Sequence, residues 1–172
     1  MSPIRIEAAT PADASTIAAL CLSVWIDTYA TDGLSPDFAH YLFEEFSAPR
    51  IAAQCAAPGS KAFVARSNGL IVGICNLDAA TNCPAKSDAP QQEITRLYVL
   101  RHFARQGVGS KLLRHALADM QRHGLKTAWL TVWAHNADAR AFYASQGFID
   151  AGFTTFRLAG RNHENRVLVR AI

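Results

Sequence analysis

The hydrophobic pattern of this chain changes its period near residue 61, and that change limits the folds open to it. Before it, apolar residues recur at helical spacing, as in PADASTIAALCLSVWIDTYA, where Ile17, Leu20 and Val24 share one stripe. After it, KAFVAR and LIVGICNLDA alternate around the turn SNG, which is typical of an antiparallel hairpin. The order β, helices, β-hairpin, β, α, β, α, β, β predicts a mixed α/β fold.

The chain has 172 residues, half of them hydrophobic, so we expect residues 1–172 to form a single domain. Its net charge of +3 comes without a block of basic residues, which gives no argument for nucleic acid. The four cysteines form no C-x-x-C pair, so we expect reduced thiols and no metal. The start lacks a basic and apolar leader, and no apolar run approaches a bilayer span, which favours a cytoplasmic protein.

A glycine-containing junction, FARQGVGSKLL, joins the strand-like run ITRLYVL to the helical run VGSKLLRHALADMQRH. Gly107 and Gly109 let other atoms approach the backbone there, and the start of a helix offers unpaired N–H groups to phosphate oxygens. A tight turn without a ligand would use the same glycines. A dinucleotide-binding loop would need a third glycine where Leu112 stands.

A second segment, VWAHNADARAFYASQGF, follows about 25 residues later in the pattern. Asn136 is placed to cap a helix, and Tyr143 lies seven residues further on nearly the same stripe, with Ala139 between them. Phe142 points to another face. One face of this helix therefore offers an amide, a small gap and a phenol.

Together these two segments resemble the GNAT superfamily of acetyl-CoA-dependent N-acetyltransferases. ARQGVG is similar to the family's pyrophosphate loop, although Ala104 occupies the position of a Gln or Arg, and NADARAFYASQGF is similar to its later helix. The resemblance implies a mostly antiparallel sheet splayed between the fourth and fifth strands, with acetyl-CoA as cosubstrate. The residues that it implies for coenzyme binding are Leu97, Tyr98, Val99, Arg105, Gln106, Gly107, Val108, Gly109, Ser110, Asn136 and Tyr143.

The resemblance also implies catalytic roles. Tyr143 would be the general acid that protonates the coenzyme thiolate, Glu93 the general base, and the Leu97 N–H the group that stabilises the reacting oxygen. The alternatives are a tyrosine packed in the core and an exposed carboxylate at the end of a strand. Strand alternation places Glu93, Thr95, Leu97 and Val99 on one face unless a bulge shifts the parity.

The acceptor is expected to be a primary amine of a small molecule. VWIDTYATDGLSPDFAHYLFEEFS and the two motifs above resemble the bacterial PaiA-type spermidine/spermine N-acetyltransferases, which makes a polyamine the candidate, with Trp25, Tyr29 and Glu93 as candidate binding residues. Arg161 and Arg166 depart from that group. Acetylation of a protein or peptide amine and acyl-CoA binding without turnover are the alternatives. Nucleic acid and membrane are not expected as partners, and a homodimer is left open.

Overall fold

A computed structural model describes residues 3–78, 82–85, 89–158 and 160–172. The strands are β1 (Arg5–Ala8), β2 (Lys61–Ser67), β3 (Leu70–Asp78), β4 (Gln91–Val99), β5 (Thr127–Trp133), β6 (Ile149–Leu158) and β7 (Arg161–Ala171). The helices are α1 (Ala14–Tyr29), α2 (Pro36–Glu45), α3 (Ala48–Ala56), α4 (Val108–Arg122) and α5 (Ala137–Ser145). This order confirms the expected one.

The composition of ATNCPAKSDAPQQ, residues 80–92, is typical of a loop before a strand that starts at Glu93, but β4 already begins at Gln91. Gln91 and Gln92 belong to the strand since they pair with Thr127 and Ala128 of β5. Residues 80, 81 and 86–88 of the expected loop lie outside the described residues.

Within the described residues, the seven strands form one sheet in the order β1-β2-β3-β4-β5-β7-β6, and β4 and β5 are its only parallel neighbours. Their ladder has three pairs, which end at Glu93 and Trp129. In the described part of both strands, no pair follows towards their carboxyl ends. The expected splay between the fourth and fifth strands is therefore confirmed, and it leaves a gap in the middle of the sheet.

The helices cover the two faces of the sheet. On one face, α4 packs an apolar stripe that includes Leu112, Leu113 and Met120, which are fully buried. On the other face lie α1, α2 and α3, and Ser35 caps α2 by accepting a hydrogen bond from the N–H of Phe38 at 3.2 Å. Among the described helices, none is long and apolar enough to cross a membrane.

A bulge at Thr95 changes which face each side chain of β4 occupies. Asn76 of β3 pairs with Arg96, but the next residue, Leu77, pairs with Ile94, so Thr95 is an extra residue. The simple alternation expected along β4 therefore does not hold across the bulge. Glu93 lies opposite Asp78 and shares its face, on the α1 side.

Beyond the bulge, the side chains of Leu97 and Val99 pack on the α4 side of the sheet. Tyr98 packs on the α1 side, and the guanidinium of Arg96 also meets residues there. Glu93 is thus separated by the sheet from the two residues with which unbroken alternation grouped it.

Candidate functional site

The glycine junction exposes the amino end of α4. Gly107 precedes the helix with φ +78°, a left-handed conformation that glycine adopts readily, and it provides no side-chain cap. The first hydrogen bond across the junction is donated by the N–H of Lys111 to the carbonyl of Gly107, at 3.0 Å. The preceding N–H groups, of Val108, Gly109 and Ser110, have no acceptor within the helix. With the positive end of the helix dipole, they can hold phosphate oxygens.

The residues around this helix end fix its position. A Cβ atom on Gly109 would lie 3.5 Å from the Phe142 ring of α5 and 3.9 Å from a Val99 methyl group, so the helix start is packed against both. Arg105, with φ +62°, and Gln106 are exposed, and the Gln106 amide donates to the carbonyl of His102 at 2.8 Å. The Arg105 charge is therefore at the surface beside the helix end.

The edge of β4 that borders the gap carries backbone groups that β5 does not pair. Leu100 donates its N–H to the carbonyl of Val72 at 3.0 Å, towards β3. Because backbone groups of successive strand residues point to opposite edges, those of Leu97 and Val99 point into the gap. An extended chain of a ligand could form hydrogen bonds with this edge.

Tyr143 is buried on the α4 side of the sheet, in the same core cluster as Leu97 and Val99 of β4 and Val132 of β5. Its side chain is 8% exposed, and its ring packs against Phe142 and Phe148, with centroids 5.2 and 5.6 Å apart. Burial raises the pKa of the Tyr143 phenol, and the nearby Cys75 and Tyr29 raise it further. The phenol therefore keeps its proton at neutral pH, as a proton donor must.

Asn136 occupies the cap position that the sequence predicts. Its side-chain oxygen accepts a hydrogen bond from the N–H of Ala139 at 3.1 Å and so begins α5. This geometry orients the helix that carries Tyr143, seven residues after Asn136. A contact of Asn136 with coenzyme would have to be made in addition to this capping bond.

A cavity of about 840 Å³ opens on the α1 side of the sheet, along the same gap. Trp25 and Tyr29, the candidate substrate-binding residues, line it with ring centroids 4.4 Å apart, and the Trp133 ring of β5 lies 5.4 Å from the Tyr29 ring. The Trp25 indole donates to the Tyr98 hydroxyl at 2.9 Å. Glu93, the third predicted residue, is half-buried and is not among the described residues that line the cavity.

The floor of the cavity contains polar residues that sequence reasoning missed. Arg96, 9% exposed, donates hydrogen bonds to the carboxylate of Glu45 and, at 2.7 Å, to the side-chain oxygen of Gln54, and it lies over the Phe46 ring. Its charge is thus compensated within the protein. An arginine inside the otherwise apolar run ITRLYVL was the signal that could have revealed it.

Asn76 lies next to Arg96 across the β3–β4 ladder and also lines the cavity. It is 5% exposed, and its side-chain oxygen is buried without a hydrogen-bond partner among the described residues. A buried carbonyl oxygen without a donor is costly, and functional sites are where such groups are found. The remaining charged residues in the lining are Asp32, Asp37, Asp78 and Arg161, with His163.

Comparison with known proteins gives one family. Residues 26–148 match the profile of the Acetyltransferase (GNAT) family. An uncharacterized N-acetyltransferase of Lactobacillus delbrueckii is 26% identical over 100% of this chain and 99% of its own, and one of Mycobacterium bovis is 30% identical over 78% and 81%. The crystal structure of PaiA N-acetyltransferase from Thermoplasma acidophilum in complex with coenzyme A superposes with a TM-score of 0.74 at 20% identity, covering 99% of both chains.

Proposed function

Since this chain belongs to the acetyltransferase (GNAT) family and is an acetyl-CoA-dependent N-acetyltransferase, we propose that its acceptor is the primary amine of a small molecule bound in the cavity beside α1 and α2. The observation that carries the proposal is the gap between β4 and β5. The α4 amino end and Tyr143 lie on one face of the sheet with the side chains of Leu97 and Val99, and the 840 Å³ cavity opens on the other face between residues of β4 and β5. An amine in the cavity could thus reach a group held in the gap.

The coenzyme side would be formed by the glycine junction and the open edge of β4. The N–H groups of Val108, Gly109 and Ser110 would hold the pyrophosphate, with Arg105 adding charge beside them. Gln106, Gly107 and Asn136 would also contact the coenzyme, and the backbone of Leu97 and Val99 would bind its extended part. The backbone groups of Tyr98, expected to share this role, point towards β3 instead. Acetyl-CoA supplies an activated acyl group as a thioester.

The reaction forms one bond and breaks one. The amine nitrogen bonds to the acetyl carbonyl carbon, the carbon–sulfur bond breaks, the nitrogen loses a proton and the departing sulfur gains one. Tyr143 is the proposed donor of that second proton. The N–H of Leu97, which points into the gap, is the proposed donor to the carbonyl oxygen while that oxygen carries negative charge.

The amine must lose its proton before it attacks, since an alkyl amine of pKa about 10.4 is neutral in only about one molecule in 10³ at pH 7. Glu93 is the proposed acceptor of this proton, through water, because it lies on the α1 face of the sheet at the last pair of β4 and β5. Asp78 lies directly opposite Glu93 in the β3–β4 ladder and lines the cavity, so it is the alternative candidate for the general base.

Polyamines belong to the proposed acceptor class. Asp32, Asp37 and Asp78 line the cavity together with the rings of Trp25 and Tyr29, and carboxylates beside aromatic faces suit a cationic amine. These features support a charged amine without selecting one among many.

The test is release of coenzyme A thiol from acetyl-CoA with a panel of acceptors: spermidine, amino acids, aminoglycosides and peptide amines. We expect rapid release with at least one small amine and slow release with peptides, because a cavity of this size encloses a small molecule. Release with peptides alone would make the protein a peptide acetyltransferase. Coenzyme binding without release on any acceptor would make it a non-catalytic binder.

A further inference from the structure

The cavity has basic as well as acidic residues in its wall, and the two kinds come from different segments. Asp32 and Asp37 belong to the connection between α1 and α2 and to the start of α2. Arg161 and His163 belong to β7, which is far from these residues in the sequence. The cavity therefore presents a negative and a positive region to one ligand.

The basic region is a regular feature of β7. Arg161, His163 and Asn165 alternate along the strand, so they share one face, and all three line the cavity. Asn165 pairs with Trp133 at the end of β5, whereas Arg161 and His163 pair only with Leu158 and Phe156 of β6. The β6–β7 hairpin thus extends past the end of β5 and brings a guanidinium to the cavity.

Arg161 differs from Arg96 and Arg166 in having no compensating partner among the described residues. Arg96 is bound by Glu45 and Gln54, and Arg166, on the opposite face of β7, is bound by Asp150 at 2.8 Å and Glu164 at 3.1 Å. Within the part of the chain that the structure describes, no hydrogen bond or ion pair involves the Arg161 guanidinium. Its charge remains available to a ligand.

We propose, resting on the proposed function, that the preferred acceptor carries a carboxylate beside its amine, as an amino acid does. Arg161 binds that carboxylate, with His163 and Asn165 as further hydrogen-bonding groups, and the aromatic wall of Trp25 and Tyr29 packs against the acceptor's side chain. A simple amine leaves Arg161 unpaired, and a polycation is repelled by it. A zwitterion places its carboxylate at the positive region of the cavity wall and its amino group at the negative region.

The experiment uses acceptors that differ only by the carboxylate: phenylalanine against 2-phenylethylamine, and leucine against 3-methylbutylamine, with spermidine as a carboxylate-free polycation. Values of kcat/KM are measured for the wild type, for Arg161→Gln and for Arg157→Gln. Arg157 is a matched control, because it is an exposed arginine of the same hairpin that does not line the cavity. For each pair, kcat/KM of the amino acid is divided by kcat/KM of its amine. Comparing this ratio between variants removes the effect of the different basicities of the two amino groups.

We expect each amino acid to exceed its amine in the wild type. Arg161→Gln should lower that ratio about fivefold or more, through loss of a charged hydrogen bond, and Arg157→Gln should leave it unchanged. The proposal is wrong if the amines or spermidine are better acceptors than the amino acids. It is also wrong if Arg161→Gln lowers kcat/KM equally for both members of a pair. Either result would leave the proposed function intact.

Binding provides a second readout that does not depend on turnover. Calorimetry of phenylalanine and 2-phenylethylamine against the protein saturated with coenzyme A should give tighter binding of the amino acid, and Arg161→Gln should remove the difference. Acetyl transfer to no acceptor would refute the proposed function, and the calorimetric preference would still decide whether the cavity selects a carboxylate. Equal binding of both ligands would refute the proposal.

Discussion

At the scale of single residues, Tyr143 shows how burial suits a side chain to one role. An ordinary phenol begins to lose its proton near pH 10. Burial raises the pKa of Tyr143, so the proton stays on the phenol across the whole range in which amines become neutral. Deprotonation of Tyr143 should therefore not limit the rate at alkaline pH.

Tyr143→Phe removes only the hydroxyl group, so we expect kcat to fall about 100-fold while the dissociation constant of coenzyme A stays nearly the same. Steady-state kinetics and calorimetry measure the two quantities. Tyr41→Phe is the control, since Tyr41 is another phenol whose pKa burial raises, to about 12, and it lines the acceptor cavity instead. Weaker coenzyme binding with unchanged kcat would remove Tyr143 from the role of acid.

Glu93→Gln tests the proposed base. A carboxylate base must be deprotonated to act, so kcat/KM of the wild type should decline on the acid side of the pH profile. In Glu93→Gln we expect a lower kcat/KM, most clearly at low pH where little neutral amine is present. The decline of kcat/KM on the acid side of the pH profile should also change. Asp78→Asn should keep the wild-type decline. If the two variants behave in the opposite way, Asp78 is the base.

The residues that the sequence could and could not reveal differ in what determines their position. Asn136 was predictable as a helix cap because capping depends on its own neighbours. Arg96 stood out as an arginine in a mostly apolar run, but its partner Glu45 of α2 and its place beside Asn76 across two strands could not be predicted. Long-range contacts of this kind leave no local pattern in the chain.

At the scale of secondary-structure elements, the ion pair of Arg96 and Glu45 ties β4 to α2. Glu45→Ala leaves the guanidinium buried with only Gln54 as a neutral partner, so we expect the free energy of unfolding to fall by about 3 kcal/mol. Urea denaturation measures it. The matched control is Glu44→Ala, which removes an exposed carboxylate paired with His40 and should cost less than about 0.5 kcal/mol. Equal effects of the two variants would contradict this assignment.

A second ion pair connects the end of α4 to the start of β2. The Nζ atom of Lys61 lies 2.6 Å from the Oδ2 atom of Asp119. Burial alone would raise the pKa of Asp119, but the hydrogen bond and charge of Lys61, with His123 and Arg122, place it below the usual range. A lowered pKa stabilises the fold above the carboxyl's ordinary pKa of about 3.9, and this contribution is lost as the pH falls through the lowered value.

Lys61→Met should therefore lower the free energy of unfolding at pH 7 by about 1–2 kcal/mol, with a smaller difference from the wild type at pH 3. Denaturation at several pH values measures the difference. Arg122→Met is the control, because the Arg122 side chain is 60% exposed and its pair with Asp119 should contribute little. A cost that stays constant with pH would show that Lys61 acts through packing alone.

The bulge of β4 marks the limit of prediction for elements. The order and type of the elements followed from hydrophobic periods, and the SNG turn was placed correctly at Asn68 and Gly69, both with positive φ. A single extra residue at Thr95 leaves no mark in that pattern, since ITRLYVL reads equally well with or without it.

At the scale of the whole molecule, the family and the general reaction could be inferred from two motifs in the right order, and the matching family profile confirms them. The acceptor could not be inferred in the same way. The cavity is assembled from α1, α2, β3, β4, β5 and the β6–β7 hairpin, so its charge pattern exists only in the folded chain. Arg161 was visible in the sequence as a departure from the PaiA-type group, but its place in the lining of the same cavity as Asp32 and Asp37 was not.

The three-pair ladder between β4 and β5 has a consequence for the protein without ligand. Each strand keeps an unpaired stretch of edge in the middle of the sheet, because β4 also pairs with β3 and β5 also pairs with β7. An extended ligand can complete the hydrogen bonding of this edge. Coenzyme would then substitute for a missing strand. We expect slower deuterium uptake at the Leu97 and Val99 amides when coenzyme A is present, measured by hydrogen-exchange mass spectrometry, with no change at Ala65 in the β2–β3 ladder.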